Sequence, residues 1–166
     1  MKIEGSHRYP VPVDAVIAML QDKSATVDKY EGMGHRDVQV LEFEADATAL
    51  RIVSSRVVDV ELPGFAKKAL KPTNTMTQTD EWKRNDDGSW SGTFTVDVKG
   101  SPVRIAGTMT LEPEPDGARH HVALDVAVKI PLIGGKIADW AAKNDVRRTL
   151  DAEFAFNEHR LEEGAR

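Results

Sequence analysis

The chain has 166 residues, 40% hydrophobic and 30% charged, proportions of a globular protein that exclude both intrinsic disorder and a bundle of membrane-spanning helices. It contains no cysteine, which excludes disulfides, thiolate nucleophiles and cysteine-held zinc or iron–sulfur centres. The formal charge of −5, with no concentrated Lys/Arg tract to offset it, argues against a nucleic-acid partner.

A chain of this length buries about two-thirds of its unfolded surface in one core, so residues 1–166 are expected to form a single domain. No apolar run approaches the ~20 residues that cross a bilayer. The stretch Met1–His7 lacks the apolar segment of a secretory signal, and the expected location is cytoplasmic.

In chain order, Lys2–Tyr9 alternates, with Ile3, Gly5, His7 and Tyr9 on one side, as a half-buried strand does. Pro10 ends it, and Pro12 suits the first turn of a helix bearing Val13, Val16, Ile17 and Leu20 on one stripe. Ser24 is the expected N-cap of a second short helix with Val27 and Tyr30, which Gly32-Met33-Gly34 breaks. From residue 37 to residue 131 the pattern is a run of strands without crossover helices, the layout of an antiparallel meander. The expected strands are Val38–Ala45, Leu50–Glu61, Thr73–Arg84, Trp90–Lys99, Val103–Glu112 and Arg119–Ile130. The segment Pro63–Pro72 interrupts them with a short amphipathic turn, basic on one side and carrying Phe65 and Leu70 on the other. It reads either as a core cap or as a lid with transient membrane contact.

Beyond Pro131, residues 136–163 contain neither Gly nor Pro, which predicts a helix of roughly 40 Å. Uniform 100° steps put Trp140, Val146, Leu150, Phe154 and Leu161 within an arc of about 120°. Lys143, Arg147 and Asn157 fall in the same arc, and polar residues on a buried stripe mark either a wet cavity or side chains reaching past the rim.

No motif points to nucleophilic catalysis, a metal or a cofactor. Gly134-Gly135-Lys136 lacks the rest of a phosphate-binding loop and reads as a strand-to-helix turn. His120 and His121 are consecutive strand residues and point to opposite faces. His7 and Asp80 are in phase with apolar neighbours and are candidates for proton transfer, as is Arg147 for orienting a ligand, but no partner group is placed beside any of them by spacing. Arg56, in phase with Ile52, Val58 and Val60, and Arg147 are candidates to bind a carboxylate or phosphate head. Met76, Gln78 and Trp82 share one strand face with Asp80.

The wording Tyr9-Pro10-Val11-Pro12-Val13-Asp14-Ala15-Val16, Thr79-Asp80-Glu81-Trp82 and Val128-Lys129-Ile130-Pro131-Leu132-Ile133-Gly134-Gly135-Lys136-Ile137 resembles an uncharacterised bacterial branch of the START-like superfamily. That superfamily includes the birch pollen allergen, START lipid-transfer domains and polyketide cyclases. The resemblance covers nearly the whole chain. It implies an α+β helix-grip fold, in which a curved seven-stranded antiparallel sheet wraps a long C-terminal helix, with two short helices after the first strand. It also implies a cavity between sheet and helix, and carries over no catalytic residue. The expected occupant is an apolar small molecule, lipid or polyketide-like, bound without turnover by Arg56, Met76, Gln78, Trp82, Phe94, Met109, Leu124, Arg147, Leu150 and Phe154. A cyclase or dehydratase needs at least two of His7, Asp80 and Arg147 in one pocket. A protein-interaction module needs a filled interior and an exposed apolar patch.

Overall fold

The computed structural model describes residues 1–164. Strand β1 (Lys2–Tyr9) leads into α1 (Val13–Leu20) and α2 (Lys23–Gly32), which precede the meander β2 (Arg36–Ala45), β3 (Ala49–Asp59), β4 (Thr73–Arg84), β5 (Trp90–Val98), β6 (Val103–Glu114) and β7 (Gly117–Val128). All pairings are antiparallel, and the seven strands lie in the order β1-β7-β6-β5-β4-β3-β2. The chain ends in a long helical rod made of α3 (Gly134–Ala141), a π turn (Ala142–Val146) and α4 (Arg147–Gly164). This is the helix-grip arrangement.

Alternation sorts the two sheet faces. In β3 every second residue from Leu50 to Val58 is buried, and Trp90, Phe94, Val96, Met109, Leu111, Val122, Leu124 and Val126 continue that inner face across β5, β6 and β7. The rod packs on this face close to β1. A Cβ on Gly5 would stand 2.6 Å from Leu150 Cδ2, so glycine there lets helix and strand approach. The edge strand β2 carries two register shifts, with Asp37 at φ +50°, irregularities that discourage edge-to-edge pairing.

Several expected boundaries move. β3 stops at Asp59 and β7 at Val128, both short of the alternation, while β6 runs on to Glu114. The cap of α2 is Asp22, not Ser24: its carboxylate accepts from the Ser24 backbone N–H at 3.0 Å and from the Ser24 hydroxyl at 2.8 Å, and these bonds hold it below the usual carboxylate range. The uniform helical step also fails. The π turn inserts extra arc at 142–146, so before it the buried face is Gly134, Ile137, Ala138 and Ala142, while Lys143 is exposed and paired with Asp139 at 3.1 Å. After it, Leu150, Phe154, Asn157 and Leu161 face inward as expected.

Candidate functional site

Between the sheet and the rod lies a cavity of about 120 Å³. Its apolar wall comes from the inner faces of the strands: Trp82, Phe94, Val96, Ile105, Met109, Val122 and Leu124, closed from the helix side by Val146 and Leu150. An adjoining groove of about 480 Å³ between the C-terminal end of α2, the end of β3 and α4 shares His35, Val58, Asp145 and Thr149 with the cavity and leads outward past Gly32 and Phe156. Asp145 and Val146 of the π turn also line this space.

A row of polar side chains crosses the apolar wall. Arg56, only 4% exposed, donates from Nη2 to Gln78 Oε1 at 3.0 Å, and Gln78 Nε2 donates to Asp80 Oδ1 at 2.9 Å. The three sit on the inward face of β3 and β4, with Met76 paired directly opposite Arg56. The guanidinium lies over the Tyr30 ring, 3.9 Å from its centroid, and its Nε and Nη1 are buried without a hydrogen-bond partner. From α2, Lys29 Nζ reaches within 4.0 Å of Glu153 Oε1 on α4. Burial opposes the Lys29 ammonium, but Glu153, Tyr30 and Asp80 outweigh it and keep its pKa above the ordinary lysine range. Burial pushes the Asp80 carboxyl up, against the pull of Lys29 and Gln78. Burial and the neighbouring Arg56 bring His35 down to about 4.

A second polar chain stands at the other end of the cavity. Asn157 Nδ2 donates to the Tyr9 hydroxyl at 3.2 Å, and that hydroxyl lies 3.1 Å from His120 Nδ1. The Tyr9 hydroxyl thus joins Asn157 to His120, whose Nε2 is buried without a partner. Burial raises the Tyr9 phenol above its ordinary range. Burial, with Lys29, His7 and His121 nearby, lowers His120 to about 3. The neutral ring is therefore the folded form. Its stabilising contribution is full above the unfolded value of 6.5 and is lost as pH falls from there toward about 3. Between about pH 8 and pH 5 this residue is expected to remove roughly 2 kcal/mol of stability. His120→Gln, which cannot titrate, should lose less over that interval in urea unfolding. Equal pH slopes in the two proteins would contradict the assignment.

A family model described as a protein of unknown function, DUF2505, matches residues 4–161. The chain belongs to the DUF2505 family. Uncharacterized proteins of Mycobacterium bovis and Mycobacterium tuberculosis are 24% identical to it over 138 residues, covering 81% of this chain and 76% of theirs. The solved structures that it resembles include TTHA0849 of Thermus thermophilus, with a TM-score of 0.67, 17% identity and 100% of both chains covered. They also include the Zhui aromatase/cyclase of a Streptomyces species, with a TM-score of 0.66, 17% identity and coverage of 100% of this chain and 96% of that one. A STAR-related lipid transfer protein of Xanthomonas axonopodis matches with a TM-score of 0.59 and 16% identity over 97% of this chain and 85% of that one. The DUF2505 chain therefore has the START-like fold.

In this DUF2505 protein the cavity wall includes Arg56, Met76, Gln78, Trp82, Phe94, Met109, Leu124 and Leu150. Phe154 is buried but stands behind the wall, stacked on His7 at 5.4 Å and edge-on to His120 at 5.3 Å. Arg147 is half-buried and lies outside the lining: the cavity meets the side of α4 that carries Thr149, Leu150, Glu153 and Asn157, and Arg147 falls beyond the other edge of that stripe. Of His7, Asp80 and Arg147, only Asp80 lines the cavity. Sequence reasoning passed over Lys29, His35, His120, Thr149 and Glu153. Lys29 had a signal: it lies four residues after the buried Ala25, on the same stripe. His120 is in strand phase with Val122 and Leu124.

Proposed function

We propose that this DUF2505 protein binds an apolar small molecule bearing an anionic head, such as a carboxylate, and does not turn it over. The observation that carries the reading is Arg56, a buried cation beside the apolar side chains of the cavity wall with two guanidinium nitrogens left unpartnered. An unsatisfied buried donor costs about 1–3 kcal/mol, and an anion that accepts from Arg56 removes that cost. Lys29 supplies a second cation in the same cavity. The raised Asp80 pKa favours its neutral form, which lessens the repulsion an incoming anion meets.

Size narrows the ligand. The inner cavity, about 120 Å³, suits a ring or short branched chain, since a dry cavity of about 150 Å³ accepts benzene. The inner cavity alone falls below the roughly 300–1,000 Å³ of ordinary ligand sites, whereas the outer groove of about 480 Å³ lies within that range, so a longer molecule extends into the groove. The printed names of two fold neighbours, an aromatase/cyclase and a lipid transfer protein, support an apolar occupant for this architecture. Catalysis by His7, Asp80 and Arg147 lacks the convergence that it needs, and a purely protein-binding module would have a filled interior.

The test is displacement of a fluorescent apolar dye by matched pairs of carboxylic acids and their methyl esters, with ring-sized to medium-chain tails. Acids are expected to bind at least about tenfold tighter than esters, the worth of a charge-assisted hydrogen bond. Failure of every compound, or esters that equal acids, would refute the reading.

A further inference from the structure

We propose that one end of the sheet is a docking surface for an anionic lipid bilayer. The end of β3, the start of β4, the end of β5, the start of β6 and the end of β7 meet there through the pairings Asp59↔Thr73, Met76↔Val98 and Val103↔Val128. The loops that leave this end carry Lys67, Lys68, Lys71, Lys99, Lys129 and Lys136, all exposed, and among the described residues none of the six is in an ion pair. Of the acidic residues at the same end, Asp59, Asp97 and Asp125 are paired, with Arg36, Arg104 and the N-terminus, and exposed Glu61 alone precedes the Pro63–Pro72 loop without an ion pair among the described residues. A chain of net charge −5 thus presents one strongly basic end.

Apolar side chains project from the same loops. Phe65, Leu132 and Ile133 are three of the five large hydrophobic residues the fold leaves exposed, and Leu132 is 103% exposed on a backbone with φ +72°. The left-handed region is unfavourable for leucine, so the β7–α3 turn holds an apolar tip in water at some cost. The two loops form one surface: Lys136 Nζ lies 4.2 Å from the Phe65 ring centroid, and Lys129 N donates to Pro102 O at 3.1 Å across to the β5–β6 turn. Apolar tips ringed by lysine match the interface of an anionic membrane, where the tip enters the headgroup layer and the ammonium groups meet lipid phosphates. The cores of protein interfaces are depleted in lysine, which disfavours a protein partner here. The outer groove reaches the end of β3 through Val58 and Asp59, just before the Pro63–Pro72 loop. Docking of this surface does not depend on whether the cavity takes an acid.

The test is co-sedimentation of the full chain with sucrose-loaded vesicles of phosphatidylcholine, with and without about one-third phosphatidylglycerol, at low and high salt. The expected result is binding to the phosphatidylglycerol vesicles alone, released by salt. The variant Lys67→Gln/Lys68→Gln/Lys71→Gln should weaken it by roughly a hundredfold, at about fivefold per lysine. Leu132→Asn, which suits the left-handed backbone but removes the apolar tip, should weaken it as well. All four changes are on exposed side chains, so an unchanged urea midpoint verifies folding. Absence of binding to phosphatidylglycerol vesicles at low salt, equal binding to both vesicle types, or unchanged binding by either variant would overturn the proposal. Capture of an acidic protein without vesicle binding would overturn it too.

Discussion

Gly107→Val is expected to destabilise the fold by about 3 kcal/mol or more. Gly107 sits in β6 directly between Phe94 of β5 and Leu124 of β7. A Cβ there would stand 2.4 Å from the Ala123 carbonyl oxygen, 2.7 Å from Phe94 Cε1 and 2.9 Å from Leu124 Cβ. The carbonyl belongs to the sheet ladder and cannot retreat without breaking it, so the clash falls on backbone as well as on flexible side chains. The Phe94 ring, displaced, has only the cavity to move into. Urea unfolding followed by tryptophan fluorescence reads the loss. Gly135→Ala is the control: nothing lies within 4 Å of its added Cβ, and alanine in a helix should leave stability equal or slightly higher. A Gly107→Val midpoint equal to that of wild type would contradict the close packing of β5, β6 and β7.

The second large effect concerns binding and leaves stability nearly untouched. Arg56→Met keeps the unbranched apolar stem of the side chain and removes two unpartnered buried guanidinium nitrogens, at the expense of the 3.0 Å bond to Gln78 and the contact with the Tyr30 ring. Loss of one charge-assisted bond and relief of orphaned donors have opposite signs, so the urea midpoint should move by no more than about 1 kcal/mol in equivalent stability. Affinity for an apolar acid, in contrast, should fall by ten- to a hundredfold, roughly the worth of one or two hydrogen bonds to a charged donor. Affinity for the matching ester should stay as it is. A residue whose removal spares the fold while abolishing acid binding is what selection for a ligand leaves behind.

The central strands were legible because they obey a period of two. The inward positions of β3 to β7 follow from alternation, and the START-like wording at the chain's N-terminal strand and at the β7–α3 turn agrees with the observed element order. Arg56 and Gln78 could be placed on the inward face for the same reason. Arg147 could not be placed, because the cavity meets only the edge of the α4 stripe that carries Thr149 and Glu153, and helical period does not say which edge that is. Lys143 was misplaced because one π turn at Ala142–Val146 shifts the residues before it relative to those after it. No composition or spacing announces such a turn. Glu153 was hidden differently: nothing on its own helix marks it, and only the approach of α2 to α4 brings it within 4.0 Å of Lys29. That contact is tertiary and has no local signature.

Titration calorimetry of wild type and Arg56→Met, each with an apolar acid and its methyl ester, tests the central claim most directly. The account predicts that acid outbinds ester at least about tenfold in wild type and that this preference vanishes in Arg56→Met. An acid preference that survives the loss of Arg56, or the absence of any preference in wild type, would contradict it.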